Sequence, residues 1–180
     1  MILRRRFSGL LALTLLVVLS TPIVAQREQT REGFWFSIGV GGGSLGCEGC
    51  DNRLSGPSGQ ISLGGTLSQK LLLGVSSHGW VKSEDGATLS MVTTTAAIRF
   101  YPSAAGGFFL LGGVGVSTVK LDLGIFGDGS KSGGGAVIGL GYDIRVGDNV
   151  SLTPYFNASA GTFDQVDANV TQLGMSVTIH

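Results

Sequence analysis

The chain has 180 residues with a formal net charge of zero, and only 13% of its side chains are charged. Ordinary soluble domains carry about a quarter charged residues, while a hydrophobic content of 43% is too high for a disordered chain. The balanced charge excludes the basic surface typical of nucleic-acid-binding proteins. Glycine is abundant, with 31 residues, and the composition favours either a β-sandwich in water or a β-barrel in a membrane.

Residues 1–25 have the order of features found in a secretory signal peptide. Three arginines occupy positions 4–6, an apolar run covers residues 10–19, and Thr21-Pro22 precedes the small residue Ala25. A membrane anchor is the alternative, but the apolar run is shorter than the ~20 residues that a spanning helix needs. We therefore predict export and removal of this segment, which leaves one domain, residues 26–180, with 9 basic and 12 acidic side chains.

Apolar and polar side chains alternate with a period of two along most of the remaining chain, which is typical of β-strands. The last segment shows it best, because Leu173, Met175 and Val177 alternate with glycine or polar neighbours. The pattern predicts eight strands within residues 34–40, 60–67, 71–82, 92–100, 110–117, 136–146, 150–160 and 172–180. An even number of strands, most of about ten residues, predicts an all-β fold: an eight-stranded, antiparallel, up-and-down transmembrane barrel.

The connections between these segments alternate in length. Short ones surround residues 68–69, 102–106 and 147–149, and longer ones cover residues 41–58, 83–87, 121–134 and 161–168. Transmembrane barrels have short periplasmic turns and longer outer loops, so we expect the longer connections at the cell surface. Residues 41–58 and 121–134 would then be the surface available to partners.

The face opposite the apolar one consists mainly of Gly, Ser, Thr and Ala, which suits the narrow lumen of an eight-stranded barrel. Four charged side chains fall on this face and are expected to pair inside the lumen: Lys82, Arg99, Asp143 and Arg145. Nine aromatic residues near strand ends fit either interfacial girdles or a core, and the sequence leaves both open: Phe34, Trp35, Trp80, Phe100, Tyr101, Phe108, Tyr142, Phe156 and Phe163.

From about Gly33 to the C-terminus, the chain resembles the small outer-membrane β-barrel family, the OmpA-like or OmpX-like eight-stranded type. The segments at 107–116 and 139–147 look like the penultimate hairpins of that family. Four residues fit the spacing of its C-terminal assembly signal: Gln172, Gly174, Val177 and Ile179. The family commonly ends on Phe or Trp, whereas this chain ends on Ile179-His180.

The resemblance implies a protein of the bacterial outer membrane that contacts outer-membrane lipid and acts as a monomer. It also implies barrel assembly machinery and periplasmic chaperones as partners during biogenesis. We expect no cofactor, no metal and no catalytic residue, and the charge balance argues against nucleic acid as a partner.

The two cysteines of the chain, Cys47 and Cys50, are separated by Glu48-Gly49. A redox motif would need a thioredoxin-like βαβ context, and a structural zinc site would need a second pair of ligands. In an exported protein this spacing predicts a small disulfide, with a free or metal-binding pair as the alternative.

The predicted function is a non-catalytic role in envelope structure or surface interaction, because an eight-stranded lumen is too narrow for a general porin. One alternative is a barrel that binds lipid or a small apolar ligand, or that modifies lipid with His78 beside Ser76. A second alternative is a soluble secreted β-protein. The terminal His180 is expected to face the periplasm.

Overall fold

A computed structural model of the chain describes residues 30–50, 52–124, 127–163 and 166–180. The predicted signal peptide, residues 1–25, lies outside the described residues. Within these ranges, no helix combines the length and the apolarity that crossing a membrane requires.

The described residues form nine antiparallel strands that close into one barrel. They are β1 (Phe34–Cys47), β2 (Leu54–Ser68), β3 (Leu71–Glu84), β4 (Ala87–Phe100), β5 (Phe108–Asp122), β6 (Asp128–Tyr142), β7 (Ile144–Arg145), β8 (Val150–Phe163) and β9 (Val166–Ile179). The two-residue β7 follows β6 after Asp143, and both pair with β8, so they share one position in the wall. Pairing of β1 with β9 closes the sheet, and the prediction of an eight-stranded barrel is confirmed.

The strands are longer than predicted, and the expected long loops are therefore wrong. Apart from β7, each strand has 14 or 15 residues. Most of the expected loop at 41–58 is paired sheet, in which Gly42 lies opposite Pro57 and Gly43 opposite Gly56. Much of the expected loop at 121–134 is likewise part of β6. In a closed sheet, strands on both sides satisfy the backbone of such glycine-rich segments, so their composition does not force a loop.

The two ends of the barrel have connections of similar length. The terminal end carries residues 30–33, the turns 69–70, 101–107 and 146–149, and His180. The distal end carries the connections 48–53, 85–86, 123–127 and 164–165. Asp85-Gly86 is a two-residue turn in which both residues have positive φ, as a type I′ hairpin turn requires.

The outer surface of the wall has two zones. Nearest the terminal end, outward-facing side chains form an apolar belt that includes Phe34, Ile38, Ile61, Leu63, Leu73, Ile98, Phe100, Phe108, Leu110, Ile138, Leu140, Phe156, Leu173, Met175, Val177 and Ile179, all of them exposed. Beyond it lies the distal collar, the described residues of 44–58, 77–94, 118–134 and 160–171, whose outward side chains are mostly polar. Hydrogen bonds cross between strands on the collar's outer surface: Ser77–Thr94 at 3.0 Å, Ser83–Thr88 at 2.9 Å, Thr118–Ser132 at 2.8 Å and Arg53–Asn169 at 2.7 Å.

Candidate functional site

The inward-facing side chains fill the barrel in three layers. The terminal plug consists of Arg31, Trp35, Arg99, Tyr101, Phe109, Asp143 and His180. The central network consists of Gln60, His78, Asn157 and Gln172. The distal cluster consists of Leu45, Trp80, Met91, Ala168 and Val170. Each layer contains large side chains that are less than 2% exposed, so side chains occupy the interior in all three layers.

Arg31 closes the terminal end and is fully buried. Its guanidinium donates to the carbonyl oxygens of Gln69 at 3.3 Å, Ala104 at 3.0 Å and Gly106 at 2.6 Å. The same group lies 3.5 Å above the ring centroid of Tyr101. The segment before β1 is thereby tied to two terminal turns. The sequence analysis missed Arg31, because an arginine outside the alternating pattern carries no signal of burial.

Asp143 is the acceptor at the centre of the terminal plug. The hydroxyl of Thr153 donates to its carboxylate at 2.7 Å and that of Tyr101 at 2.8 Å. Burial, and then the negative charge of Asp143, raise the pKa of the Tyr101 hydroxyl, which keeps it a donor. The expectation that His180 faces the periplasm is wrong: its imidazole is buried, with Nε2 3.3 Å from the same carboxylate. The imidazole of this C-terminal residue therefore reaches the Asp143 carboxylate from inside the barrel.

The four predicted lumen charges do not form one group. Arg99 and Asp143 are buried in the terminal plug, and the Arg99 guanidinium lies 4.4 Å from the ring centroid of Trp35. Arg145 is partly exposed at the terminal end, where its guanidinium lies 3.4 Å from the carbonyl oxygen of Thr30.

Lys82 faces inward at the opposite end of the barrel. Its ammonium lies 3.6 Å from the carboxylate of Glu84, and both side chains are partly exposed. Lys82 is therefore a charge of the distal mouth and is too far along β3 to neutralise Asp143, which lies at the terminal end.

The central network joins side-chain amides and one histidine. Asn157 Nδ2 donates to Gln60 Oε1 at 2.8 Å and lies 3.4 Å from His78 Nδ1. Gln172 Nε2 donates to a backbone oxygen, that of Gly79, at 2.8 Å. These contacts hold His78 inside the barrel among polar groups.

The alternative of a lipid-modifying enzyme placed Ser76 beside His78. Ser76 donates its hydroxyl to Ser62 Oγ at 2.7 Å. Its hydroxyl is thus committed to a hydrogen bond with another serine, and both serines are buried.

The distal cluster is the apolar core of the collar. Leu89, Val119 and Phe163 pack against it. Above it opens a cavity of about 470 Å³ lined by Leu45, Cys47, Leu89, Val119, Leu121, Gly129, Ser130, Lys131, Phe163 and Ala168. Trp80 belongs to the same cluster as Leu45 and Ala168 of this lining, and it donates its indole N–H to the Gly43 oxygen at 3.2 Å. The polar-interior pattern of the rest of the barrel gave no reason to expect this cavity.

The nine aromatic residues left open by the sequence divide between the two positions. Trp35, Trp80 and Tyr101 are buried inside the barrel. Five others face outward and are exposed: Phe34, Phe100, Phe108, Tyr142 and Phe156. The ninth, Phe163, is partly buried and packs against the distal cluster. Most of the exposed ones lie at the terminal edge of the belt, where an aromatic girdle would be.

Cys47 and Cys50 form the predicted disulfide at the distal end of β1. The Cys50 N–H also donates to the Cys47 oxygen at 3.2 Å. The bridge closes a single turn at the start of the 48–53 connection, so it constrains only a short piece of chain.

The residues of the predicted assembly signal divide between the two faces of β9. Gln172 and Gly174 face the interior, while Val177 and Ile179 belong to the apolar belt. A Cβ at Gly174 would lie 2.5 Å from the Tyr155 hydroxyl oxygen, so the absent side chain leaves room for that ring. Recognition by assembly machinery stays a prediction.

Comparison with known proteins identifies the fold of this chain. No family model matches the chain, and no curated protein matches it. Neisserial surface protein A is 19% identical, with a TM-score of 0.58 over 84% of this chain and 99% of that one. Ail, the attachment invasion locus protein of Yersinia pestis, is 14% identical, with a TM-score of 0.58 over 83% of this chain and 100% of that one. The chain has the fold of the small outer-membrane β-barrels.

A third structure with this barrel fold is the N-terminal β-barrel domain of Pseudomonas aeruginosa OprF. It is 12% identical, with a TM-score of 0.52 over 83% of this chain and 100% of that domain. The outer-membrane barrel fold thus extends over nearly all the described residues. The second alternative, a soluble secreted β-protein, is not supported, because the apolar belt would face water in such a protein.

Proposed function

We propose that this chain is a non-catalytic outer-membrane protein whose barrel crosses the bilayer at the apolar belt and presents the distal collar at the cell surface. The observation that carries this proposal is the change in the outer surface from apolar to polar along continuous strands. In this placement, hydrocarbon tails contact the apolar side chains of the belt, and water forms hydrogen bonds with the polar side chains of the collar. The predicted signal peptide, residues 1–25, supplies the route of export.

The polar groups of the collar support its position outside the hydrocarbon. Arg53 lies on the outer surface and donates to Ser44 Oγ at 3.0 Å as well as to Asn169. An arginine on the lipid face costs about 2–4 kcal/mol at the bilayer midplane and much less near the interface. The collar is therefore stable in water or among headgroups, and the belt is stable in the bilayer core.

The filled interior supports a role without transport through the lumen. The terminal plug ties two turns to Arg31, and the central network occupies the middle of the barrel. The hydrogen bond between Ser76 and Ser62 supports a non-catalytic role, because it withdraws the hydroxyl that would pair with His78. What the protein offers to its surroundings is its outer surface and the distal mouth.

The remaining partners are proposed on the same basis. Outer-membrane lipid surrounds the belt, and barrel assembly machinery with periplasmic chaperones reads the C-terminal signal at Gln172, Gly174, Val177 and Ile179. The barrel acts as a monomer, since a closed sheet has no unpaired edge strand to recruit a second copy.

Labelling of single cysteines on intact cells tests the proposed placement. Lys120→Cys lies on the outer surface of the collar, Ile138→Cys in the belt, and Ser103→Cys in a terminal turn. A membrane-impermeant maleimide should label only the first. Labelling at Ser103→Cys without labelling at Lys120→Cys would reverse the orientation, and labelling of Ile138→Cys would contradict burial of the belt in lipid.

A further inference from the structure

We propose that the cavity of the distal collar binds one amphiphile with an apolar body and a single small anionic head, a fatty-acid-type monocarboxylate. The proposal rests on the proposed position of the collar outside the bilayer, where the cavity mouth meets water. It assigns a ligand class to a site that the non-catalytic surface role leaves open.

The cavity has the size and the lining of a small-molecule site. Its volume of about 470 Å³ lies within the range of roughly 300–1,000 Å³ typical of ligand pockets. Leu45, Leu89, Val119 and Phe163 supply apolar walls. The buried Trp80 and the rest of the distal cluster close it toward the interior, so it is a pocket and not a channel.

The position of these apolar walls requires an explanation. Inside the belt the lumen is mainly polar in its central layer, but at the water-facing mouth it is apolar, and Leu121 there is 41% exposed. Apolar surface in contact with water is unfavourable, and an apolar occupant removes it from water. The lining therefore favours an apolar body in the cavity over an ion or a sugar.

One positive charge lies at the wall of this cavity. Lys131 is the only charged side chain among the described residues that line it, and it comes from the inward face of β6, opposite Val119 on β5. Among the described residues, no carboxylate lies within 4.0 Å of its ammonium, whereas the ammonium of Lys82 lies 3.6 Å from the carboxylate of Glu84. A lone ammonium at the edge of an apolar pocket complements a head group with one negative charge.

Fluorescence quenching provides a direct test, because the chain has only two tryptophans and one of them, Trp80, belongs to the distal cluster together with Leu45 and Ala168 of the cavity lining. The protein is placed in lipid nanodiscs, free of detergent, and titrated with dodecanoate brominated at its methyl end. The variant Trp35→Phe keeps Trp80 alone, and Trp80→Phe keeps Trp35 alone. We expect saturable quenching of Trp80, reversed by unbrominated dodecanoate, and none of Trp35.

The head group is tested by matched lysine variants. Lys131→Met should weaken dodecanoate binding by about two- to fivefold, the value of an exposed ion pair, while leaving dodecanol unaffected. Lys120→Met changes the outward-facing lysine of the neighbouring strand and should leave both affinities unchanged. Leu121→Trp should block both ligands by filling the mouth.

Three results would overturn the proposal. They are unsaturable quenching, equal quenching of the two tryptophans, and identical dodecanoate affinities for Lys131→Met and Lys120→Met. Heat-modifiable migration on gels shows first that each variant is folded. If the surface-labelling experiment fails but quenching of Trp80 is saturable, the proposed orientation is contradicted and the cavity remains a ligand site. If surface labelling succeeds but quenching of Trp80 is not saturable, the ligand site is contradicted and the proposed orientation stands.

Discussion

The belt region and the distal collar are two halves of one sheet with opposite polarity. In β1, Ile38 faces outward and Ser37 inward within the belt, but in the collar Ser44 lies on the outer surface and Leu45 is buried inside. The belt is built for lipid outside and polar groups inside. The collar is built as a water-soluble barrel is, with polar groups outside and an apolar core. One continuous strand can therefore have an outer face suited to lipid at one end and an outer face suited to water at the other.

The exchange of faces follows from a phase shift in the alternation. The outward-facing apolar residues of β1 occupy even positions up to Val40, then three glycines intervene, and the next apolar residue is at the odd position Leu45. In β9 the apolar positions are odd from Leu173 onward but even at Ala168 and Val170. Since the period of a strand is two, such a shift moves the apolar side chains to the other face. In the proposed placement, the shift marks where β1 and β9 leave the membrane.

The largest expected effect compares two methionines, one from each region. Met91 is 1% exposed in the core of the collar, and Met175 is 42% exposed in the belt. Met91→Ala should cost about 2–5 kcal/mol by leaving a cavity in a packed core. Met175→Ala should cost far less, because lipid tails fill the vacated space. Urea unfolding in lipid vesicles measures both, and equal losses would contradict the difference between the regions.

Substitution by arginine sharpens the same comparison on the outer surface of β6. Ile138→Arg places a charge in the belt and should destabilise the barrel by about 2–4 kcal/mol if the site lies near the bilayer midplane. Ser132→Arg, on the same face of the strand but in the collar, should change stability by less than about 1 kcal/mol. Unfolding of both variants in the same vesicles gives the difference, and the belt has been misplaced if Ser132→Arg is the more damaging.

How far the sequence predicts this molecule depends on the region. In the belt, alternation alone placed Ile98 outward and Arg99 inward, and it gave the number of strands. In the collar it failed, because a glycine-rich stretch such as 41–43 has the composition of a loop. Arg31 and the apolar cavity were also missed. A buried guanidinium outside the pattern, and a pocket assembled from six strands, depend on the closed register of the barrel and not on local sequence.

Removing the acceptor of the terminal plug tests the polar interior of the belt region. Asp143→Ala leaves the buried hydroxyls of Tyr101 and Thr153 without their partner. Each buried group that loses its hydrogen bond costs about 1–3 kcal/mol, although water entering the terminal end recovers part of this. The expected net loss is therefore near the lower end of that range. Unfolding in vesicles checks it, with Asp128→Ala, which changes an exposed aspartate at the distal end, as the control, and an unchanged stability would show that Asp143 is dispensable.

In the smallest expected effect, the sign of the change in stability shows whether water or lipid surrounds the collar. Arg53→Leu removes the hydrogen bonds to Ser44 and Asn169 from the outer surface of the collar. If water surrounds this surface, the loss is at most about 1 kcal/mol, because exposed charged pairs contribute little. If lipid surrounds it, replacing a charge by leucine should instead stabilise the barrel by about 2 kcal/mol or more. Unfolding in vesicles of two acyl-chain lengths resolves the cases: a gain in stability that grows with bilayer thickness would mean that the collar lies in the membrane. A small loss that is independent of thickness would mean that it projects into water.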